Sequence, residues 1–195
     1  MQFLFYQIKV IRKGAKPPVW RRAYVPMNIT FNQLAVILEE LLEIPKTDEV
    51  EFEFYGQGMR LIKWDDEFIV PQYHFSYKDM QENYLNDYLE QKGAFTFKIL
   101  DDKLQIPDYR VEVEKVNCGV KYNDLPLNHP CMIKWTVDEG DDYWSNSKGI
   151  NKIFEDKYQL KWGKNFYPTF DDISCELDNN KQIIVSKVPK SKEDN

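Results

Sequence analysis

Apolar and polar residues alternate at the start of the chain in the manner of a β-strand. Within residues 2–11, QFLFYQIKVI, Tyr6, Ile8 and Val10 fall on one face and Gln7 and Lys9 on the other. A period of two is typical of a strand with one apolar face. After the turn-like RKGAKPP segment, VWRRAYV at 19–25 has the same extended character, so the two segments predict a hairpin.

A helical pattern follows the predicted hairpin. Thr30 stands three residues before Gln33, which is the spacing of a capping box at the start of a helix. Apolar residues then recur at three- and four-residue spacing as far as Leu42, and Pro45 closes the pattern. The VEFEFYG segment at 50–56 and the MRLI segment at 59–62 predict two further strands.

The remaining part of the chain carries shorter patterns. Met80, Tyr84, Leu85, Tyr88 and Leu89 have helical spacing, which predicts a short helix over residues 79–91. Further strands are predicted at residues 94–100, 109–116, 131–137 and 183–188, and a second short helix at residues 150–158.

Together these elements predict an α+β fold, with a single domain over residues 1–188. A hairpin can bury its apolar face under a helix only if a later strand joins the same sheet. The order strand, strand, helix, strand over residues 1–62 therefore predicts a β-grasp-like half, which residues 63–188 extend with further antiparallel strands and short helices. The charged residues 189–195 are expected to form a mobile tail.

Composition indicates a soluble globular protein with a sizeable core. Of the 195 residues, 43% are hydrophobic and 15% are aromatic, well above the level typical of disordered chains. The net charge of -6 disfavours nucleic acid as a partner without excluding it. The first residues resemble neither a signal peptide nor a membrane span, so we expect a cytoplasmic protein that does not bind membranes.

The VWRRAYV segment holds the first group of candidate binding residues. On an extended strand Trp20, Arg22 and Tyr24 share one face, and Arg21 lies on the other. Arg22 could therefore stack on its aromatic neighbours. Arg21 lies among small apolar residues, so it would need a carboxylate or carbonyl partner where it is buried.

Four pairs of adjacent aspartates form the second group of candidates, at 65–66, 101–102, 141–142 and 171–172. Asp101 and Asp102 are the binding candidates, and Asp141 and Asp142 are weak candidates for a metal site, because Mg²⁺ and Ca²⁺ take oxygen ligands. Solvated turn residues are the competing interpretation. No nucleotide-binding or nucleophile-elbow motif occurs, so the sequence predicts no cofactor and no catalytic residue.

Cysteine and histidine offer one further arrangement. The three cysteines are odd in number and widely spaced, which favours free thiols. Cys131 stands two residues after His129, the one position where a thiol and an imidazole are close in sequence. A buried structural cysteine is the favoured interpretation there.

The first fifty-five residues resemble the plasmid pRiA4b ORF-3-like family. That family has a strand, a Pro-Pro-aliphatic-Trp-Arg-Arg run that is complete here at residues 17–22, a short helix starting near a threonine, and a phenylalanine-rich strand like EFEFYG. The resemblance implies an α+β domain found on plasmids, mobile elements and chromosomes, without an established general activity.

Two features of the family are missing. The strand after the helix usually carries a histidine pair, whereas residues 50–54 here read VEFEF. A family segment rich in aspartate and tryptophan would fall at residues 97–103, where only Asp101 and Asp102 match. If those features form a site in other members, this chain has lost most of it, which lowers the expectation of an enzyme.

Two functions of different classes follow. The favoured hypothesis is a non-enzymatic binding or adaptor module, encoded by a gene of the mobile-element or plasmid type, that holds a protein or peptide through a sheet edge or an aromatic surface. The alternative is a degenerate or cryptic metal-dependent hydrolase or nuclease that uses clustered aspartates. Carboxylates converging beside Arg21 or Arg22 would favour the alternative.

Overall fold

The structure is a computed structural model that describes residues 3–63, 75–118, 120–122, 125–136, 147–162, 168–170, 175–177 and 181–183. The first part of the chain contains β1 (Leu4–Arg12), β2 (Trp20–Pro26), α1 (Phe31–Leu42), β3 (Val50–Phe54), β4 (Met59–Ile62), β5 (Ser76–Asp79), β6 (Ala94–Ile99) and β7 (Tyr109–Cys118). The second part contains β8 (Lys121–Tyr122), β9 (Leu125–Pro126), β10 (Cys131–Trp135), α2 (Ser147–Lys157), β11 (Leu160–Trp162), β12 (Pro168–Phe170), β13 (Cys175–Leu177) and β14 (Lys181–Ile183).

Eight of the described strands form one sheet in the order β10-β2-β1-β7-β6-β3-β4-β5. Neighbours in this sheet are antiparallel apart from β4 and β5, which are parallel. β11 pairs with β12, β13 with β14, and β8 with β9, each as a two-stranded sheet. An α+β fold is confirmed.

The helix α1 begins where the sequence predicts. Thr30 has an extended backbone and its side chain accepts a hydrogen bond from Gln33 N, while the Gln33 side chain accepts one from Thr30 N, so both halves of the capping box are present. The next amides find tertiary partners, because Phe31 N donates to Asn83 O and Asn32 N donates to Met80 O. Few amides at this helix end are left to solvent.

The core lies between α1 and one face of the sheet, which we call the inner face. Phe31 of α1 makes edge-to-face contacts with Phe52 and Phe54 of β3 and with Phe95 of β6. Phe97 lies beside Phe52, with ring centroids 5.2 Å apart. Each buried phenylalanine contributes about 2 kcal/mol from burial alone, so this cluster is a main source of stability.

The helix predicted over residues 79–91 is wrong. The strand β5 ends at Asp79, where the helix was predicted to begin. The next amide, Met80 N, donates a hydrogen bond to Ile62 O of β4. Only Leu85–Asp87 form a short 3-10 turn. Met80, Leu85 and Leu89 are buried as the spacing suggested. Part of the segment's backbone groups bond to β4 and to residues at the start of α1, and the bonds within the segment form only short turns.

The β-grasp-like half is not confirmed. β3 joins the same sheet as β1, as predicted, but β7 and β6 lie between them. The pairing of β1 with β7 joins residues 97 to 114 positions apart, so residues 1–62 do not form a sheet of their own. The single domain over residues 1–188 stays a prediction, and residues 184–195, with the end of the predicted last strand and the tail, lie outside the described residues.

The other predicted elements that lie within the described residues are present. Strands occur within the predicted 94–100, 109–116 and 131–137 segments, and α2 covers most of the second predicted helix. Within the described residues, no helix is both long and apolar enough to cross a bilayer.

Candidate functional site

The outer face of the sheet is the face turned away from α1. Residues that pair directly across two antiparallel strands share a face. The register therefore places Gln7 and Lys9 of β1 on the outer face beside Tyr24 and Arg22 of β2. Trp20 lies two residues before Arg22 on the same strand, so the prediction that the candidates on β2 divide between two faces is confirmed.

Two cations lie close to the Trp20 ring on this face. Lys9 Nζ and the Arg22 guanidinium carbon are each 5.0 Å from the centroid of the Trp20 ring, within cation–π range. Lys9 and Arg22 are directly opposite each other on neighbouring strands, so the backbone pairing holds both cations beside the ring. We call these three residues the tryptophan platform.

Arg22 is fixed in this position by Glu114 of β7. Arg22 Nε donates to Glu114 Oε2 at 2.5 Å, and the Nη2 atom of Arg22 donates to Glu114 Oε1 at 2.6 Å. Gln7 Nε2 adds a third hydrogen bond to Glu114 at 2.7 Å. The hydrogen bond from Arg22 holds the pKa of Glu114 below its usual value, against the opposing effect of partial burial.

Glu114 reaches Arg22 because β7 has an irregular register. Gln7 pairs with Lys115 and Ile8 pairs with Val113, so Glu114 is an extra residue between two paired ones. Such a bulge bends a strand and redirects a side chain. Apolar and charged residues alternate along β7, and this pattern did not distinguish Glu114 from the other charged residues. No local sequence pattern predicted the bulge.

Arg21 lies on the inner face, and only 2% of it is exposed. Its Nη2 atom is 3.4 Å from Glu43 Oε2, so the prediction that a buried Arg21 would need a carboxylate is confirmed. Glu43 follows the last residue of α1 and has a left-handed backbone, with φ of 53°. Arg21 and Arg22 therefore have separate partners on opposite faces and do not form one binding site.

The edge of the sheet beside β2 is partly covered. At Met132 of β10, the side chain of Asn151 from α2 accepts a hydrogen bond from the backbone N at 2.7 Å and donates one to the backbone O at 2.9 Å. The amide thus makes the two bonds that a further strand would make at this residue. Lys134 of β10 pairs with Arg22 and is exposed beside the tryptophan platform.

The candidate aspartates Asp101 and Asp102 lie in a turn and not on the outer face of the sheet. Asp101 Oδ1 accepts a hydrogen bond from Lys103 N, and Asp102 is exposed in the same turn after β6. This geometry matches the solvated-turn interpretation for that pair. The pair Asp141 and Asp142 lies outside the described residues, as do the pairs at 65–66 and 171–172. Among the residues that the structure describes, no group of three or more His, Cys, Asp or Glu side chains could hold a metal ion.

A second charged cluster on the outer face was missed from the sequence. Lys98 of β6 forms ion pairs with Glu51 and Glu53 of β3, and Arg60 of β4 lies 3.4 Å and 3.1 Å from the same two carboxylates. Burial raises the pKa of Glu53, but the hydrogen bond from Lys98 and the nearby charges outweigh it and the net shift is downward. The sequence marked this cluster only through the alternating glutamates of the EFEF segment at 51–54. It did not indicate their basic partners, because these are distant in sequence. The Phe75 ring covers Arg60, with its centroid 4.0 Å from the guanidinium.

Cys131 has the properties of a structural thiol. It is buried and free, and burial raises its pKa to about 12. A thiol with so high a pKa is protonated at neutral pH and is a poor nucleophile. His129 Nδ1 lies 2.6 Å from Pro130 O, and since a carbonyl can only accept, this nitrogen carries the proton.

Glu39 of α1 is a buried carboxyl group that the sequence did not mark. Only 2% of it is exposed, and its side chain accepts a hydrogen bond from Thr47 N at 3.1 Å. Burial raises the pKa of Glu39 to about 7, although the Thr47 hydrogen bond and the charge of Lys46 oppose the shift. The group therefore changes charge near neutral pH.

Comparison with known proteins places this chain in a family. The protein of unknown function MM3350 from Methanosarcina mazei Go1 has a similar fold, with a TM-score of 0.51 and 20% sequence identity over 80% of this chain and 82% of that chain. The curated proteins include no match to the sequence. The pattern of the plasmid pRiA4b ORF-3-like proteins matches residues 4–146, most of the chain. The chain therefore belongs to the plasmid pRiA4b ORF-3-like family.

Proposed function

We propose that this protein is a non-enzymatic binding module that holds an acidic segment of a protein partner on the outer face of its sheet, along β2 and β10. The observation that carries the proposal is the tryptophan platform. A half-buried ring with two cations beside it offers apolar area and positive charge at one place on the surface. Tryptophan and arginine are the residues that most often dominate protein interfaces.

The platform is already ordered in the free protein. Glu114 accepts hydrogen bonds from Nε and Nη2 of Arg22, and the pairing of β1 with β2 positions Lys9. Little side-chain freedom is left for binding to remove, which favours affinity. Arg22 keeps its charge because arginine is protonated at all accessible pH values.

Exposed basic residues around the platform favour an acidic segment. Lys134 lies on the adjacent strand, and Lys13 and Lys16 are exposed at the end of the β1–β2 hairpin. Lys13 is only partly neutralised, by Asp108 at 3.6 Å. Complementary charge of this kind raises the rate of association and selects the partner.

A partner on the face agrees better with the contacts than one at the β10 edge. Asn151 takes both backbone hydrogen bonds of Met132 that an added strand would need. Nucleic acid is disfavoured because the net charge is -6. An acidic protein segment needs only the local positive charge around the tryptophan platform.

Selection of peptides tests the proposal. A displayed library of random linear peptides is selected on the full chain, and the best sequences are synthesised for titration. Acidic sequences should be enriched, and their affinity should fall about tenfold or more in Trp20→Ala, because the ring supplies the buried area of the contact. Arg110→Gln is the matched control, since Arg110 is an exposed arginine of β7 that pairs with Glu112 and is not part of the platform.

Three results would reject this function. They are no enrichment of acidic peptides, equal affinity for wild type and Trp20→Ala at a temperature at which both are fully folded, and equal loss in Arg110→Gln. A salt-sensitive affinity for a DNA oligonucleotide that requires Trp20 and Lys9 would replace the protein partner with nucleic acid.

The hydrolase or nuclease alternative has no described geometry in its favour, because Asp141 and Asp142 lie outside the described residues. It is tested directly by titration with Mg²⁺, Mn²⁺ and Ca²⁺, which should raise the melting temperature if a metal site exists. The family name is the support for proposing that the module is encoded by a plasmid or mobile-element gene.

A further inference from the structure

Three basic residues stand side by side on the outer face, one on each of three adjacent strands. Lys9 of β1 pairs directly with Arg22 of β2, and Arg22 pairs directly with Lys134 of β10. Residues that pair directly across antiparallel strands share a face, so the three side chains form one line across the strands. We call Lys9, Arg22 and Lys134 the basic row.

The sheet sets both ends of the basic row. On the β1 side the next residue in line is Glu112 of β7, which pairs with Lys9 and accepts a hydrogen bond from Arg110. On the other side, β10 is the last strand of the eight-stranded sheet. An acidic group would meet a carboxylate at Glu112, so the attractive part of the line covers β1, β2 and β10 only.

The positive charge of the basic row that a partner can use lies at its two lysines. Arg22 has a carboxylate partner, because its Nε and Nη2 atoms donate to Glu114. Among the residues that the structure describes, neither Lys9 nor Lys134 forms an ion pair. Three positive charges against the one negative charge of Glu114 leave two positive charges for an acidic partner.

The backbone of the sheet sets the separation of the two lysines. Neighbouring strands lie about 4.8 Å apart, so Lys9 and Lys134 are about 10 Å apart at the backbone, with β2 between them. In a polyproline II helix, residues three apart lie on one side and about 9 Å from each other. In a β-strand, residues on one side are about 7 Å or about 13 Å apart, so they match the two lysines less well.

Trp20 offers an apolar contact beside the basic row. Its ring centroid is 5.0 Å from both Lys9 Nζ and the guanidinium carbon of Arg22, and the ring is partly exposed. An apolar residue between two acidic residues of a bound segment would lie near this ring. Aromatic surfaces are the usual binding sites of polyproline II segments, which are extended before they bind and therefore lose little conformational freedom.

We infer that the basic row binds a polyproline II segment of a protein partner that carries two acidic side chains three residues apart. One acidic side chain lies at Lys9 and the other at Lys134, and an apolar residue between them packs on Trp20. The segment therefore crosses β2 on its way from β1 to β10. The inference rests on the proposed function, because it specifies the sequence pattern and the direction of the acidic segment.

Synthetic peptides of equal length and equal charge test the spacing. Each peptide has two glutamates in a proline-rich background with one leucine between them, and the glutamates are two, three or four residues apart. At low ionic strength the peptide with spacing three should bind the full chain about threefold to tenfold more tightly than the other two. An alanine-rich peptide with glutamates seven residues apart presents a similar distance on a helix and should bind more weakly.

Lys9→Gln and Lys134→Gln test the two charge contacts. Each variant should weaken the peptide with spacing three about twofold to fivefold, which is typical of exposed charge pairs. Each should also remove the preference for spacing three, because only one of the two lysines is left. Lys103→Gln is the matched control, since Lys103 is an exposed lysine in the turn after β6, and it should leave the affinities unchanged.

Four results overturn the inference: equal affinity at all three spacings, tighter binding of the helical peptide, a preference that survives in both lysine variants, or an equal loss in Lys103→Gln. If Trp20→Ala still weakens the acidic peptides in these cases, the proposed function stands without the inference. If no acidic peptide binds, those selected from the library included, both are rejected.

Discussion

The two sides of β2 treat charge in opposite ways. On the outer face Arg22 and Glu114 are about one quarter exposed and meet in a two-bond ion pair, and the pKa of Glu114 is lowered chiefly by the hydrogen bond from Arg22. On the inner side Arg21 and Glu39 are 2% exposed, and the pKa of Glu39 is raised to about 7 by burial. The hydrogen-bonded ion pair therefore sets the direction of the carboxyl pKa shift on the outer face, and desolvation sets it on the inner side.

Arg21→Ala should have the largest effect on stability. The change removes a fully buried side chain and its contact with Glu43, so the free energy of unfolding should fall by about 3 kcal/mol. Arg22→Ala, one residue along, should cost about 1 kcal/mol, because that side chain is partly solvated. Urea denaturation of both variants measures the difference, and equal losses would show that the two faces do not differ in this way.

Trp20→Ala should destabilise the protein by about 2 kcal/mol, since a half-buried ring and its two cation contacts are lost. A fully buried ring would cost about 3 kcal/mol or more, and the intermediate exposure of Trp20 lowers that expectation. Trp20→Phe keeps an aromatic face and should recover part of the loss. A thermal unfolding series of the three proteins tests this, and an unaltered melting temperature for Trp20→Ala would mean that the ring adds nothing to the fold.

Glu39→Gln should stabilise the protein by about 1 to 2 kcal/mol at about pH 8, because it removes a buried charge and keeps an oxygen for Thr47 N. The folded pKa of about 7 lies above the ordinary glutamate value of about 4.3. The stability that wild type gains from binding this proton is therefore complete below the ordinary value and is lost as pH rises through about 7.

Chemical denaturation at about pH 5 and about pH 8 measures this difference between Glu39→Gln and wild type. The advantage of the variant should shrink or disappear at the lower pH. An advantage of the same size at both values would mean that the carboxyl group does not titrate in this range.

Glu114→Gln should have the smallest effect, a loss of about 1 kcal/mol at neutral pH, because an amide can still accept from Arg22 but carries no charge. The folded pKa of Glu114 is lowered, so its contribution is present above the ordinary glutamate value and is lost as pH falls through the folded value. The gap between wild type and variant should therefore close on acidification. A gap that widens in acid would contradict the lowered pKa.

Local pattern was enough to predict the hairpin, α1 and the division of β2 into two faces. The capping box at Thr30 and the period-two alternation around Arg21 and Arg22 depend on neighbours in sequence, and both are confirmed. The carboxylate partner of Arg21 was also expected in kind, although Glu43 could not be chosen among many acidic residues.

Long-range pairing set the limit of the prediction. Glu114 is 92 positions from Arg22 and reaches it through a bulge that leaves no pattern in β7. The segment at 79–91 has helical spacing, but several of its amides and carbonyls bond to β4 and to residues 29–32 at the start of α1. The pKa of Glu39 depends on burial and on Thr47, eight positions away, neither of which periodicity reports.

Asn151 also bears on how copies of this chain behave at high concentration. An open strand edge is a template on which sheets of different molecules can join and aggregate. By taking both backbone bonds of Met132, the Asn151 amide leaves no pair of groups at that residue for a second molecule to join. A single side chain of α2 thus hinders the large sheet from extending into a second molecule at this residue.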